Sequence, residues 1–299
     1  MGAGLSGLAA AIVLAKAGKE VHVHDIRADS GARFDGDFQA LENWSMDEDF
    51  FDQLEGWGFD ASSFKSTSFS VVDLIHPDDE ITQAKSDGVA YRIVERGTSD
   101  HTIDQAFKRM AIEAGATLHY KSRIAQKDAD IVACGPKDTS AIALGEIFHT
   151  THPNHIAFQL NDKLAPGAYS YLIIIDGVGL ICTCLWRKQK KSERFLNETI
   201  ACYQRLYPEI DINPIKRVGG KGDFEKIDTK IIFSTIVEFN NEKLVKEEME
   251  KTILVDVPSK IYPELRQIFI FLFENSGFKD IKINETVNFE KLYKMRKVQ

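Results

Sequence analysis

Gly2, Gly4 and Gly7 stand at the spacing G-x-G-x-x-G, directly ahead of an alanine-rich run from Leu8 to Ala17. That spacing handles phosphate with backbone rather than side chains. The first glycine permits a tight turn, the second lets the backbone approach a pyrophosphate, and the third lets the following helix pack close to a sheet. The start of the helix, at Leu5 and Ser6, offers free N–H groups and the positive end of the helix dipole. Asp25 lies 18 residues past Gly7 and ends an alternating run from Glu20. A carboxylate at that distance can accept hydrogen bonds from a ribose hydroxyl. Turn, helix and acid together point to a dinucleotide site; the plain alternative is a glycine turn with no ligand.

Two other sets of side chains could do chemistry. The cysteines are Cys134, Cys182, Cys184 and Cys202, and none forms a zinc-type C-x-x-C pair. Cys182 and Cys184 share a face if Gly179 to Trp186 is a strand. They are read as buried free thiols, with a redox pair as the alternative. His149, His152 and His155 crowd a segment around Pro153, but no carboxylate or thiol completes a metal-ligand spacing. They are read as surface-loop histidines, and no metal site is expected.

The elements that must position these groups follow from periodicity. Leu8 to Ala17 is a helix ended by Gly18, and Glu20 to Asp25 alternates as a strand. Phe64 to Ile75 and Gly88 to Glu95 read as antiparallel strands. Thr102 to Ala114 reads as a helix with Asp104 in its first turn. Thr117 to Tyr120 is a short strand, and Asp130 to Gly135 a buried strand ending in a turn. Phe158 to Trp186 reads as two or three antiparallel strands around Pro166-Gly167 and Asp176-Gly177, and Ser192 to Leu206 as a helix. Trp44 and Trp57, in a polar acidic stretch, are expected to pack against neighbouring elements. In the tail, Lys243 to Lys251 reads as a solvated helix face. Pro263 to Asn275 reads as an amphipathic helix capped by Gly277, and Phe278 to Ile283 as a strand.

The 299 residues are 43% hydrophobic and 27% charged, ordinary values for a chain with a sizeable core. The net charge of -8 excludes a nucleic-acid-binding surface from the expectations. Residues 1–104 carry 20 acidic against 8 basic side chains. Ala201 is the last alanine and His155 the last histidine, and the tail is instead rich in Lys, Ile, Phe, Glu and Asn. That change of composition suggests a separate module. Apolar runs such as Tyr171 to Ile175 and Ile268 to Phe273 are too short to span a bilayer. With no signal peptide in view, a cytoplasmic chain is expected, with peripheral membrane contact as a candidate.

Gly2 to Arg33 resembles the FAD-binding start of the flavoprotein family that includes geranylgeranyl reductases and aromatic-ring hydroxylases. The resemblance implies that Asp25 binds the adenosine ribose and that Arg33 lies near the phosphates and ribityl chain. Tyr91 to Arg96 followed by Thr102-Ile103-Asp104 is similar to the strand and helix after the family's first substrate-side excursion. Asp130 to Gly135 is similar to the strand that ends in a glycine beside the cofactor, which implies a cofactor contact at Gly135. Pro166-Gly167-Ala168-Tyr169-Ser170-Tyr171 keeps the proline and first tyrosine of the reductase signature P-x-x-Y-x-W-x-F-P. Tyr169 and Tyr171 are thereby candidate substrate-binding residues, or else ordinary aromatics of a half-buried sheet. Gly219 to Phe224 resembles the loop ahead of the family's late Gly-Asp motif, and the likeness stops at about residue 224. The strand that precedes the glycine turn in the family has no counterpart here, which implies a chain truncated at its N-terminus.

The fold class implied is α/β, a Rossmann-like FAD-binding sheet with an interleaved antiparallel substrate-side sheet. Residues 1–150 form the FAD domain, with an excursion at about 61–95. Residues 151–224 form the antiparallel substrate domain and residues 225–299 a divergent lysine-rich segment. The cofactor-binding residues are Gly2, Gly4, Leu5, Ser6, Gly7, Asp25, Arg33 and Gly135; no catalytic residue is singled out. The function implied is a flavin-dependent oxidoreductase that reduces a carbon–carbon double bond of an isoprenoid or lipid-like substrate, with NAD(P)H as candidate electron donor. The alternatives are an FAD-dependent monooxygenase and a non-catalytic relative with an incomplete FAD site.

Overall fold

In the computed structural model the described residues are 1–34, 36–44, 48–135, 139–222, 245–274 and 283–296. The first unit, Met1–Lys226, runs α1 (Leu5–Lys16), β1 (His22–His24), β2 (Phe38–Glu42), α2 (Phe50–Gly56), β3 (Ser66–Phe69), β4 (Val71–Ile75), β5 (Ile81–Lys85), β6 (Tyr91–Glu95), α3 (Ile103–Glu113), β7 (Thr117–His119), β8 (Ala141–His149), β9 (His155–Gln159), β10 (Ser170–Ile175), β11 (Val178–Leu185), α4 (Ser192–Leu206) and β12 (Pro214–Gly222). The second unit, Ile227–Gln299, holds α5 (Lys246–Lys251), α6 (Val257–Glu274) and α7 (Phe289–Arg296). The whole is a mixed α/β chain with a Rossmann-like start and several sheets.

Helix α1 forms where the sequence places it because its small residues form one packing face. Leu8, Ala11 and Ile12 are buried with Ala106, Phe107 and Ala111 of α3 in one core. Thr102 caps α3, its hydroxyl accepting from the Gln105 amide. β1 pairs in parallel with β7, His22 opposite Thr117 and His24 opposite His119.

The large sheet has seven strands in the order β12-β8-β11-β10-β9-β4-β5, all antiparallel except the β4·β9 pair. Both faces of its centre are covered. Leu172 and Ile174 of β10 pack with Phe148, Tyr203 and Tyr207 on the side of α4. Ile173 and Ile175 pack with Val72, Ile93 and Ile156, against Phe38 and Ala40 of the three-stranded sheet β2-β6-β3. That double burial explains the unbroken apolar run from Tyr171 to Ile175, since a strand covered on both faces has no use for alternation.

Several expectations are corrected. Asp130 to Gly135 is not a buried strand: no strand is assigned there, and Ile131 and Val132 are 43% and 40% exposed. An apolar run becomes a strand when a partner takes its N–H and C=O groups, and among the described residues the backbone bonds of this segment go to Met1. Phe64 to Ile75 splits at Ser70 into β3 and β4, which enter different sheets. Gly219 to Gly222 is strand rather than loop, paired with Leu144 to Ala141 of β8; Asp223 and Phe224 lie outside the described residues. Trp44 and Trp57 are 61% and 45% exposed and are not packed away. The sequence reading passed over β2, β5, β8 and α2.

The second unit is helical where it is described. A π-helical turn at Thr252–Asp256 joins α5 to α6. α6 begins at Val257, earlier than expected, and carries Pro263 inside it. The proline has no N–H, so the Ser259 carbonyl lacks its usual helical donor. Tyr262 donates to the Asn284 carbonyl (2.6 Å), and its ring meets Phe289 edge-on at 6.0 Å. The expected glycine cap and the first residues of the expected strand lie outside the described residues.

The register sets Gly179 of β11 opposite Phe148 of β8, and a Cβ on Gly179 would fall 2.2 Å from the phenyl ring. Phe148 is fully buried and has nowhere to turn. Gly179→Ala is expected to destabilise the first unit by about 1–3 kcal/mol, read as a lowered urea midpoint. An unchanged midpoint would show that the ring is free to move.

Candidate functional site

Gly2 adopts φ +102°, a conformation that a side chain disfavours, and so turns the chain from Met1 into α1. A Cβ on Gly7 would lie 1.9 Å from the Gly2 carbonyl oxygen. The turn and the helix therefore touch backbone to backbone at that point. Gly4 is different: a Cβ built there meets nothing within 4 Å. Its open side belongs to a cavity of about 460 Å³ lined by Gly2, Gly4, Leu5, Ser6, Asp25 and Arg33, among others. Gly4 is the N-cap of α1 and no side chain caps it, so the first N–H groups of the helix are available to a ligand.

Asp25 follows β1 and turns toward the glycines. Its Oδ2 accepts from the Ala3 amide (2.8 Å) and its Oδ1 from the Arg27 amide (2.8 Å). The carboxylate is fixed in orientation and still has lone pairs for a ribose hydroxyl. Gly135, with φ +74°, and Cys134 border the same cavity. Arg33 is exposed there and donates to the Lys221 carbonyl (2.9 Å). Cys134 is exposed, against the expectation of buried thiols, while Cys182 and Cys202 are buried.

The sequence reading took Arg96 and Asp104 for a strand end and a helix start. They are the anchor of the cavity wall. Asp104 is 1% exposed and receives Nε and Nη2 of Arg96 at 2.8 and 2.9 Å, together with the Gly97 amide at 3.1 Å. Arg96 also donates to Gln39 and lies over the Phe34 ring, 4.0 Å from its centroid. The loop after β1 is tied down beside it. Gln105 Nε2 donates to the Ser30 carbonyl (2.9 Å), Ser30 shares a hydrogen bond with Tyr120 (2.7 Å), and Lys108 pairs with Asp29 (2.6 Å). Burial pushes the Asp29 carboxyl up, but the bonds from Lys108 and Ser30 outweigh it and leave it below its ordinary value. The available signal was a buried-type Arg–Asp pair flanking a glycine and a helix cap.

Leu5, Ser6, Gly2, Gly4, Asp25, Arg33 and Gly135 thus gather around one cavity, with Gly7 behind the turn as a packing contact. Tyr169 and Tyr171 do not border it. They form an aromatic row with Phe158 and Tyr91 on the large sheet, ring centroids 5.4–6.3 Å apart. Tyr171 is paired with Cys182 across β10 and β11. Burial, then the neighbouring thiols, push both phenols up, so they stay protonated. No set of three His, Cys, Asp or Glu side chains suited to a metal ion occurs among the described residues.

His24, which borders the cavity, belongs to a stack of three imidazoles. His22 and His24 flank His119 at centroid distances of 5.3 and 4.5 Å. Desolvation, then His119, His22 and the terminal ammonium, lower the His24 pKa. His155, expected in a surface loop, begins β9 instead, its Nε2 buried beside Asp73 (3.5 Å). Burial lowers its pKa, reinforced by His152 and opposed by Asp73 and Glu209.

Parts of the chain have counterparts among known proteins. Residues 1–37 match the family described as an NAD(P)-binding Rossmann-like domain. A geranylgeranyl bacteriochlorophyll reductase-like protein from Thermoplasma acidophilum superposes with TM-score 0.56 at 17% identity, over 73% of this chain and 64% of that one. FqzB superposes with TM-score 0.50 at 12% identity, over 76% of this chain and 65% of that one. At these identities the likeness is one of fold alone, and this chain spans just under two thirds of each of those chains. Among the described residues no helix is long and apolar enough to cross a membrane.

Both histidines bind protons less readily folded than unfolded. Stability is therefore expected to hold above the ordinary histidine value of 6.5 and to fall as pH drops below it, as the unfolded chain takes up protons first. Thermal melts across that range check this, and His24→Gln with His155→Gln should flatten the loss. A melt that is flat with pH in the parent chain would refute it.

The comparison that reaches family level is with the putative protein-export protein SecB of Pelagibacter ubique (strain HTCC1062), 40% identical over 115 residues, which are 38% of this chain and 82% of that protein. Over the extent of that match, this chain belongs to the family of the putative protein-export protein SecB.

Proposed function

We propose that the first unit is a flavin-dependent oxidoreductase module that holds the ADP half of FAD at the glycine turn. The observation that carries this reading is the empty side of Gly4, with a fixed Asp25 carboxylate across the same cavity. The free N–H groups at Leu5 and Ser6 would meet the diphosphate and Asp25 the adenosine ribose. Arg33 and Gly135 would lie toward the ribityl side. FAD supplies hydride transfer when bound, while the protein supplies position and electrostatics.

The finer reading is a reductase of carbon–carbon double bonds in an isoprenoid or lipid-like substrate, with NAD(P)H as electron donor. The fold likeness to a geranylgeranyl bacteriochlorophyll reductase-like protein and the tyrosine row beside an apolar sheet face support it. Peripheral contact with a membrane, where such substrates reside, goes with this proposal. The acidic balance of the chain speaks against a nucleic-acid partner.

A second module is favoured by the SecB relationship. We infer that the likeness falls toward the C-terminal part of the chain, where alanine and histidine cease, and that its 115 residues reach beyond the unit Ile227–Gln299. Its role would be in protein export, as the relative's name states. A pull-down of export-type precursor polypeptides with the full chain tests it; no enrichment over an unrelated acidic protein would count against it.

For the first module, titration of the purified chain with FAD, followed by flavin fluorescence, is the decisive measurement. Asp25→Ala is expected to weaken binding by about ten- to a hundredfold, the worth of about 1.5–3 kcal/mol for a hydrogen bond to a charged group. Gly4→Val should abolish binding while leaving the melting temperature unchanged, because its side chain enters the cavity and not the core. Equal FAD affinity in Gly4→Val and the parent would sink the assignment.

A further inference from the structure

His22, His24 and His119 meet on the face of the β1·β7 pair that lies opposite the α1 core. Along Val21-His22-Val23-His24 the side chains alternate. Val21 and Val23 pack with α1, and the two histidines take the other face. The parallel register sets His24 opposite His119, and His22 opposite Thr117. We propose that His22 and His119 form a binding site for a divalent transition-metal cation of the zinc and copper kind, held by two imidazole nitrogens and completed by water.

The nitrogens already stand close to ligand spacing. Nδ1 of His22 and Nε2 of His119 lie 3.0 Å apart. Two nitrogens bound at about 2.0–2.1 Å to one tetrahedral zinc stand about 3.3 Å apart. The two rings are nearly parallel, with 26° between their planes and 5.3 Å between their centroids. A small turn of each ring therefore makes the two lone pairs converge on the solvent side. The His22 side chain is 47% exposed, which leaves room for the cation and its waters.

The other contacts of the rings set their tautomers for this role. His22 Nε2 is 3.2 Å from the Glu20 carboxylate. An ionised carboxylate only accepts, so the His22 proton is on Nε2 and Nδ1 is a lone pair. In the metal-free chain the Nε2–H of His119 donates to that lone pair. A cation takes its place when the His119 proton shifts to Nδ1. A carboxylate behind a histidine ring fixes the tautomer and raises the basicity of the ligating nitrogen at metal sites. His24 is a positioning residue. Its Nδ1 meets Ser122 Oγ at 2.9 Å, and its ring lies flat against His119, 4.5 Å between centroids and 15° between planes. Imidazole ligands favour copper and zinc over magnesium, which prefers oxygen. The bound cation ties together residues that are 97 apart in sequence, and so braces β1 at the strand that leads to Asp25. The site stands on the imidazole geometry alone and does not depend on the flavin reading.

The test is calorimetric titration of the full chain, first stripped with a chelator, with zinc chloride, copper chloride and magnesium chloride in turn. Saturable binding of zinc is expected, with copper tighter and magnesium not bound. Glu20→Gln should weaken zinc binding by about tenfold, the effect of losing an outer-shell partner. His22→Ala and His119→Ala should each weaken it further than that, while His76→Ala, remote from the site, leaves it unchanged. Thermal melts give a second reading, because a ligand that binds the folded chain raises its melting temperature. Zinc should raise it in the parent and not in His22→Ala. Should His119→Ala fail to fold, the exposed His22 and Glu20 variants decide the matter. No binding of zinc by the parent, or equal affinity in the parent and His22→Ala, overturns the proposal.

Discussion

The bond from the Ala3 amide to the Asp25 carboxylate, 2.8 Å long, fixes the glycine turn to the end of β1. Around it the turn has little freedom. Gly7 has no room for a side chain against the Gly2 carbonyl, so α1 must start at one height and one angle. The same bond points the carboxylate across the cavity and leaves the helix N-terminus open above it. A hydrogen bond to a charged group is worth roughly twice a neutral one, and this one joins the two halves of a site that are otherwise 22 residues apart.

The Arg96–Asp104 pair does similar work on the opposite wall. Both residues are nearly buried, so the pair is sustained by its geometry: two parallel N–H donors, a third from the Gly97 amide, and a ring beneath the guanidinium. Loss of either partner would strand a charge in the interior. The three-stranded sheet and α3 are thereby locked to the loop that follows β1. The cavity owes its shape to this pair as much as to the glycines.

The two units differ in how their structure is made. The fold of the first unit rests on non-local pairing: the seven-stranded sheet takes strands from residues 71–85 and from residues 141–222. The described part of the second unit is helical, its elements following one another along the chain. A fold of low sequence identity can persist in the first case because burial on both sheet faces constrains residue class rather than identity.

The sequence by itself determined the local features. The glycine spacing, the alanine-rich helix, the Thr102 cap and the Asp176-Gly177 turn, where positive φ follows positive φ, each depend on residues within one turn of each other. Short-range sterics and capping decide such features before any tertiary contact forms. Tertiary structure alone decided where partners were required. The run Asp130 to Gly135 has strand composition and no strand, because strands are made by neighbours. Gly219 to Gly222 has loop composition and is a strand, because β8 offers an edge to it. The site was legible to the extent that it is backbone chemistry at a fixed spacing. Arg96, Asp104 and His155 were not, since their roles come from the groups that the fold buries beside them.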